Sequence, residues 1–244
     1  MNNLIIAKNY ETFGEEGLTS NKVIYYKEDN MVKFRANITD NPYGESEVVT
    51  VGGSDSNSLE KVFAGKSDTW NVPNDITTIP TYVLYSNNEI KHIITTDKTT
   101  AIDGYAFYSC SNLLSFNSNN DGTLDLRTVD NIGASTFRLC LKITEILLSQ
   151  NITIIRASAF RGCKPTYVDI HNSVVVIEDY AFYTTTTSLV VNFGNTRNTI
   201  PTVENNSFYY KTKFVVPDAL YDEWKTTSNW SNYADIVKYS EYNN

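Results

Sequence analysis

One pattern of apolar residues recurs six times along the chain and restricts the folds that it can adopt. Each copy has an aliphatic residue, a second aliphatic residue three positions later, and a bulky apolar residue, called here the anchor, five positions after that, and only Thr99 departs from the aliphatic rule. The copies are Ile76/Ile79/Leu84, Thr99/Ile102/Phe107, Val129/Ile132/Phe137, Ile152/Ile155/Phe160, Val174/Ile177/Phe182 and Ile200/Val203/Phe208. Successive anchors are 22 to 30 residues apart, a period typical of folds in which each repeat packs only on its neighbours. The pattern therefore predicts a solenoid.

A short apolar pattern follows the anchors from Phe107 onward and predicts one β-strand per repeat. Its members are Leu113 and Phe116; Ile143, Ile146 and Leu148; Val168 and Ile170; Leu189, Val191 and Phe193; and Phe214 and Val216. The longest anchor interval contains Asn117–Thr123, a polar stretch rich in turn-forming residues, which predicts a loop insertion.

The three cysteines, Cys110, Cys140 and Cys163, each lie three residues after an anchor phenylalanine. Their number is odd and their spacing follows the repeat, which argues against a disulfide framework. Cysteine is a small, weakly polar residue that packs well in a stacked core. We therefore expect structural thiols and neither a metal centre nor a catalytic nucleophile.

Two segments show the full motif, Ile102–Cys110 (IDGYAFYSC) and Ile155–Cys163 (IRASAFRGC). They resemble the BspA-type leucine-rich repeat, whose core is I-x-x-x-A-F-x-x-C, and the resemblance extends over roughly residues 60–216. Thr185 and Lys211 stand where the family has cysteine, so the later copies depart from the motif. The resemblance implies a mainly β, BspA-like leucine-rich repeat solenoid in a surface protein that binds host or neighbouring-cell ligands.

Both ends of the chain differ from the repeat. Residues 1–58 predict a small β-rich N-terminal unit for docking or oligomerisation, with a hairpin of Val23–Tyr26 and Met31–Arg35 and a strand at Val48–Val51. Residues 59–216 form the repeats, and Val62–Gly65 with Trp70–Pro73 are either a half-formed seventh repeat or part of a linker.

Residues 217–244 predict a C-terminal helical cap. A helix is expected from Pro217 because Leu220, Tyr221 and Trp224 follow at helical spacing. Trp230, Tyr233 and Ile236 can then close the apolar end of the solenoid. This aromatic stripe is interpreted as a cap and not as a sugar-binding platform.

Composition and motifs exclude several function classes. The sequence has 20 Lys and Arg residues and 28 Asp and Glu residues, which give a net charge of −8 and disfavour the binding of nucleic acid. No apolar run approaches the roughly 20 residues of a membrane-spanning helix, so no membrane insertion is expected. His92 and His171 lack partners at ligand spacing. We therefore expect no catalytic residues, no cofactor, no metal site and no enzymatic activity.

The candidate binding residues lie on two polar stretches, because loops on a rigid scaffold often carry recognition. They are Asn117, Asn119, Asn120 and Asp121 in the insertion, and Tyr183, Thr184 and Thr185 after an anchor. The insertion also has the oxygen-ligand spacing of a calcium loop, but Asn117 is no carboxylate and Thr128 replaces the bidentate glutamate. Plain solvated loops are the alternative interpretation of both stretches.

The function hypotheses differ in where the protein is found. The apolar stretch Leu4–Ala7 is too short for a secretory signal, which favours a protein that needs none. The first hypothesis is therefore a phage head-fibre or capsid-decoration protein on the virion surface. Its N-terminal unit would contact capsid or other virion proteins, and its repeats a host surface protein or glycan. The alternative is an extracellular or bacterial cell-surface adhesin of the same repeat family. A homodimer or homotrimer is expected in either case.

Overall fold

The protein is a parallel β-solenoid of about seven turns with a small helical C-terminus. Its computed structural model describes residues 5–7, 22–28, 31–37, 47–51, 67–184 and 189–242. The mainly β repeat fold predicted from the anchors is confirmed.

Four strands precede the solenoid: β1 (Ile5–Ala7), β2 (Lys22–Glu28), β3 (Met31–Asn37) and β4 (Glu47–Val51). They form one sheet in the order β1-β2-β3-β4. The β2 and β3 strands pair antiparallel in the predicted hairpin, and β4 pairs with β3. The sequence did not predict β1, which pairs parallel with β2.

The solenoid and its C-terminus contain fifteen further strands, all paired parallel. They are β5 (Thr69–Asn71), β6 (Thr78–Ile79), β7 (His92–Ile94), β8 (Ala101–Ile102), β9 (Ser115–Phe116), β10 (Thr123–Leu126), β11 (Asn131–Ile132), β12 (Glu145–Leu148), β13 (Ile154–Ile155), β14 (Tyr167–Asp169), β15 (Val176–Ile177), β16 (Val190–Asn192), β17 (Thr202–Val203), β18 (Lys213–Val216) and β19 (Ile236–Lys238). Each of the six turns that carry an anchor contributes a first strand, a two-residue second strand and an anchor segment, and one of them has two first strands, β9 and β10.

The strands stack into two faces of the solenoid. First strands form the sheets β12-β10-β9-β7-β5 and β14-β16-β18-β19, and second strands form β11-β8-β6 and β13-β15-β17. Trp70 on β5 is fully buried and pairs with Ile93 on β7, so this part of the proposed seventh repeat is the first turn. Val62–Gly65, the other part, lies outside the described residues.

The anchors stack on one another through the centre of the solenoid. Each is at most 2% exposed, and the neighbouring ring centroids of Phe107, Phe137, Phe160, Phe182 and Phe208 are 5.1 to 6.0 Å apart. Parallel turns of equal length bring the same position of each repeat to the same height, so identical side chains meet. The anchor assignment made from the sequence is confirmed.

The residue two positions before each anchor has a left-handed backbone in all six copies. These residues are Tyr82, Tyr105, Ser135, Ser158, Tyr180 and Asn206, with φ between 57° and 62°. A left-handed residue other than glycine costs about 1–2 kcal/mol. Bonds between turns offset this cost, for example from Leu84 N to Ala106 O at 2.9 Å. Because this sharp turn recurs in every copy, the residues next to the anchors occupy equivalent positions in successive turns.

The three cysteines are fully buried, as predicted, and unpaired with one another. Each thiol donates to the anchor carbonyl of the preceding turn: Cys110 to Leu84 O at 3.0 Å, Cys140 to Phe107 O at 3.3 Å and Cys163 to Phe137 O at 3.3 Å. The motif therefore uses cysteine because its side chain is apolar enough for the core and still donates a hydrogen bond.

We predict that none of the three thiols reacts with Ellman's reagent at pH 8 in the folded protein and that all three react in denaturant. Burial raises the pKa of each thiol, that of Cys163 to about 12, so the reactive thiolate is scarce and shielded. Absorbance at the reagent's wavelength counts the thiols, with glutathione as the control. Rapid titration of any thiol in the folded protein would contradict the buried ladder.

The insertion adds a strand as well as a loop, which corrects the sequence prediction for Thr123. Strand β10 begins at Thr123 and lies between β9 and β12. Gly122 has a φ of +90°, and a Cβ there would lie 2.5 Å from Thr144 Oγ1, so only glycine fits the entry to this strand. The first-strand face therefore has one more layer than the second-strand face at this point.

The C-terminal segment covers the last turn. A short 3-10 helix at Asp218–Leu220 leads into α1 (Tyr221–Thr226), followed by a second 3-10 helix at Trp230–Asn232, β19 and α2 (Tyr239–Tyr242). Trp224 and Trp230 are fully buried, and Trp230 Nε1 donates to Pro201 O at 2.7 Å. The helical cap is confirmed, and the buried indole rings have no face for a sugar.

Candidate binding surface

The predicted residues of the insertion lie in the loop between β9 and β10. The Asn117 side chain binds the preceding turn: its Oδ1 accepts from Thr95 N and its Nδ2 donates to Thr95 Oγ1, both at 2.6 Å. Asn119, Asn120 and Asp121 are exposed. Asn117 therefore holds the loop in place, while the other three present their side chains to solvent. Their role as ligand contacts stays a prediction.

The second predicted group lies on another part of the turn. Tyr183 directly follows the anchor Phe182 and is half-buried, Thr184 is buried, and Thr185 lies outside the described residues. Because Tyr183 contacts Tyr180 and Tyr209 whereas Asn117 contacts Thr95, the two predicted groups belong to separate surfaces. Burial leaves Thr184 little surface for a ligand.

Tyr183 belongs to a column of Tyr and Arg side chains that runs along the anchor edge of the solenoid. The residue after each anchor is Tyr or Arg in every copy, and we call this column the tyrosine–arginine ladder: Tyr85, Tyr108, Arg138, Arg161, Tyr183 and Tyr209. All six are partly exposed. Since neighbouring parallel strands are about 4.8 Å apart, six turns give a strip roughly 25 Å long.

Side chains of neighbouring turns contact one another along the ladder. Tyr85 and Tyr108 stack with centroids 4.8 Å apart and planes 2° from parallel, and Arg138 lies 5.2 Å over the Tyr108 ring. Tyr183 and Tyr209 meet edge to face at 6.0 Å. Each contact joins residues of successive turns, so the solenoid fixes their positions before any partner arrives.

The tyrosines two positions before the anchors support this column from the side. Arg161 lies 4.5 Å over the ring of Tyr180 and 5.9 Å from that of Tyr183, and Tyr105 packs 5.7 Å from Tyr108. A cation over an aromatic face is stabilised by about 0.5–1 kcal/mol at exposed sites. The aromatic rings therefore help to hold both guanidinium groups in place beside the tyrosines.

The chemistry of the ladder follows from which parts of the rings remain exposed. The ring face that each stacked contact covers is closed to a ligand, so the strip offers ring edges, phenol hydroxyls and guanidinium N–H groups. Arg138 Nε is buried without a hydrogen-bond partner among the described residues. Tyr and Arg are the residues most enriched at the energetic centres of protein interfaces.

The column is visible in the sequence, but candidate residues taken from polar loops leave out most of it. Once the anchors are aligned, the position after each anchor shows Tyr or Arg six times out of six. Only Tyr183 of this column was among the predicted residues. The other five were missed because each lies next to a core residue and not in a loop.

In the part of the chain that the structure describes, the histidines and acidic residues form no cluster of the kind that binds metals. His92 Nδ1 lies 2.9 Å from Ser115 Oγ, and the His171 carbonyl accepts from Arg197. Within residues 67–184 and 189–242, no group of three or more His, Cys, Asp or Glu side chains could hold a metal ion. In the described part of the chain, no helix has both the length and the apolar character needed to cross a bilayer.

The solved structures that are similar to this chain include two leucine-rich repeat proteins. A leucine-rich repeat protein from Bacteroides ovatus ATCC 8483 is 20% identical with a TM-score of 0.46, over 79% of this chain and 59% of that one. A leucine rich cell surface protein from Faecalibacterium prausnitzii A2-165 is 14% identical with a TM-score of 0.28, over 76% of this chain and 64% of that one. The matches thus span less than two thirds of either structure. A comparison with curated proteins found no match.

A family model gives the decisive comparison. The model of the BspA type leucine-rich repeat region matches residues 58–126 and 120–218, with 6 copies. These ranges contain all six anchors and all three cysteines and cover more than half of the chain. The chain belongs to the BspA-type leucine-rich repeat family.

Proposed function

We propose that this chain is a non-enzymatic adhesion protein that binds a protein partner through the tyrosine–arginine ladder. The observation that carries the proposal is the ladder itself, a column of Tyr and Arg side chains in which every copy of the repeat supplies one member. Stacked repeats provide long rigid surfaces suited to binding. Family membership supports the same class of function.

A protein partner fits the ladder better than a glycan does. A sugar ring packs on an open aromatic face, and the stacking of Tyr85 on Tyr108 and of Arg138 over Tyr108 covers such faces. The exposed edges and guanidinium groups instead suit backbone carbonyls, carboxylates and apolar side chains of a protein. Because contacts between turns already order these side chains, binding costs less conformational entropy.

We place this adhesin on a bacterial cell surface, where residues 1–58 would serve as the docking or oligomerisation unit, residues 59–216 as the binding repeats and residues 217–244 as the cap. The phage head-fibre hypothesis stays a prediction, and no contact in the molecule favours it over the cell-surface adhesin. Quantitative mass spectrometry of the source's cell-envelope fraction and of purified particles distinguishes the two, since each location predicts enrichment in one fraction only.

The adhesion proposal is tested with the full chain coupled to fluorescent beads and applied to layers of epithelial and bacterial cells. We expect these beads to adhere to at least one cell type more than beads coated with albumin. Treating those cells with protease should abolish the adhesion, because the partner is a protein. Treating them with glycosidases should leave most of it.

Two outcomes would overturn the proposal. Adhesion no greater than that of albumin beads on every cell type would remove the binding function. Adhesion that survives protease and is lost after glycosidase treatment would replace the protein partner by a glycan.

A further inference from the structure

A polar cleft lies on a different corner of the solenoid from the ladder, where the chain leaves β14 and β16. Its volume is about 360 Å³, within the range of small-molecule sites. Most of its lining residues are polar, including Asp169, Asn172, Asn192 and Thr196. Buried Ile170 and Phe193 also border it and give it an apolar floor. Gln150, which follows β12, also lines the cleft, so three successive turns build a concave site that no single turn forms alone.

One wall of the cleft is a fixed hydrogen-bond network. Asp169 Oδ1 accepts from Tyr167 Oη at 2.8 Å and from Asn192 Nδ2 at 2.9 Å, and Asn192 Nδ2 also lies 2.8 Å from Tyr167 Oη. Asn192 Oδ1 accepts from Gly194 N at 3.0 Å. The pKa of Tyr167 is raised to about 12 by burial and by Asp169, so its hydroxyl stays a donor. The wall thus holds a carboxylate and an amide in set orientations.

The opposite wall is held from beneath by Arg197. This buried side chain donates to Thr199 O at 2.7 Å, to His171 O at 2.9 Å and to Val174 O. These carbonyls use the guanidinium donors, so Arg197 shapes the loop and does not face a ligand as a free cation. Above it, Asn172 Nδ2 donates to Thr196 Oγ1 at 3.3 Å across the two turns.

The charge of the cleft selects the ligand class. Its lining contains the Asp169 carboxylate and no Lys or Arg. An anion such as a phosphate or a uronate would meet the like charge of Asp169, and the Arg197 guanidinium behind the wall directs its N–H groups to backbone carbonyls, so an anion is disfavoured. The remaining polar groups are amides, hydroxyls and the His171 imidazole, which can donate and accept. Among them, Ser173 Oγ is buried with no hydrogen-bond partner in the part of the chain that the structure describes.

Uncharged hydroxyl-rich ligands match this arrangement, because each sugar hydroxyl both donates and accepts. A donor hydroxyl suits Asp169, and an acceptor oxygen suits the second side-chain N–H of Asn172, whose first donates to Thr196. Both side-chain N–H groups of Asn192 donate to Asp169 and Tyr167, so Asn192 fixes the carboxylate that a ligand meets. We infer that the cleft binds a single neutral sugar residue. This site is separate from the ladder, so it does not rest on the adhesion proposal.

The inference is tested by titrating the full chain with methyl glycosides of glucose, galactose, mannose, fucose and N-acetylglucosamine. Saturable chemical-shift changes in the NMR spectrum are expected for at least one. The double variant Asn172→Ala/Asn192→Ala should weaken that glycoside's binding by about tenfold or more, because it removes the Asn172 donor and the amide that holds the Asp169 carboxylate in place. The matched control is Asn205→Ala, an exposed asparagine outside the cleft, which should bind as the unchanged protein does.

Glucose 6-phosphate serves as the charged probe and should bind more weakly than methyl glucoside. Saturable binding by none of the five glycosides would overturn the inference, and so would equal binding by the double variant and the unchanged protein. Tighter binding of glucose 6-phosphate than of methyl glucoside would overturn the inference that the ligand is neutral. A thermal unfolding curve of each variant confirms that it is folded.

Discussion

The Phe137→Ala variant is expected to lose about 3–5 kcal/mol of unfolding free energy, the range found when buried aromatic residues are truncated. Phe137 is fully buried and lies between Phe107 at 5.3 Å and Phe160 at 6.0 Å. It also meets Phe116 edge to face at 5.9 Å. Removing the ring opens a cavity in the middle of the column, which the neighbouring turns can fill only in part. Urea unfolding followed by circular dichroism measures the loss.

The matched control is Leu141→Ala, which removes an apolar side chain of the same turn that is 40% exposed. This variant should change the free energy by less than about 1 kcal/mol, since surface substitutions usually have small effects. Phe160→Ala should behave like Phe137→Ala because it holds the same position one turn later. Equal stability of the Phe137 and Leu141 variants would contradict the stacked column.

The Trp230→Ala variant is also expected to lose about 3–5 kcal/mol of unfolding free energy. The Trp230 ring contacts Phe193, Phe208, Phe214 and Trp224 with centroids 5.2 to 6.2 Å apart. Its loss also leaves the Pro201 carbonyl without its indole donor. An uncovered end of a solenoid exposes apolar surface and promotes association.

Two measurements report whether the C-terminal cap still covers the solenoid. Urea unfolding gives the stability, and light scattering at increasing protein concentration reports the association that an open end causes. Tyr242→Ala is the control, because Tyr242 lies on α2 and is 40% exposed. A Trp230 variant that is monodisperse and as stable as the Tyr242 variant would show that this tryptophan does not close the solenoid.

The order of the turns could be predicted from the sequence because each anchor is an apolar residue at a fixed distance from two aliphatic residues. The one exception in that pattern has a physical reason. Thr99 is fully buried, and its Oγ1 donates to Ile76 O at 2.8 Å in the preceding turn. A threonine whose hydroxyl is satisfied in this way replaces an aliphatic residue without leaving a buried polar group unpaired.

The extra strand β10 could not be predicted from the spacing of the anchors. Leu124 and Leu126 alternate with Asp125, a strand pattern, and both are buried beside Ile146 and Leu148. Because all other copies have one first strand, the spacing predicts the loop Asn117–Thr123 and no additional strand after it. Whether an insertion loops out or adds a layer depends on pairing with β9 and β12, which is a contact between turns and not a local property.

The two candidate surfaces, the ladder and the cleft, differ in whether the sequence alone could predict them. The ladder depends on one position of the repeat, so an alignment of the copies is enough to predict it. The cleft depends on Asp169 and Asn192, which are 23 residues apart and bond only after β14 and β16 have paired. Nothing in the local sequence of either residue marks a ligand site, so it became visible only with the packed turns.

The central claim is that the ladder is the surface that binds, and the bead assay tests it with three sets of variants. The first is Tyr108→Ala/Arg138→Ala in the ladder. The second, a matched control, is Tyr242→Ala/Arg127→Ala, which removes an exposed Tyr and an exposed Arg from elsewhere. The third is Asn119→Ala/Asn120→Ala/Asp121→Ala, in the loop that the sequence predicted as a binding site.

The most direct measurement is therefore the number of adherent beads for the ladder variant relative to the control variant, with both proteins shown to be folded. Two interface residues of this kind contribute at least about 1.4 kcal/mol together, so adhesion should fall by about tenfold or more in the ladder variant and remain unchanged in the control. Adhesion by the ladder variant equal to that of the control, or a loss confined to the loop variant, would contradict the account.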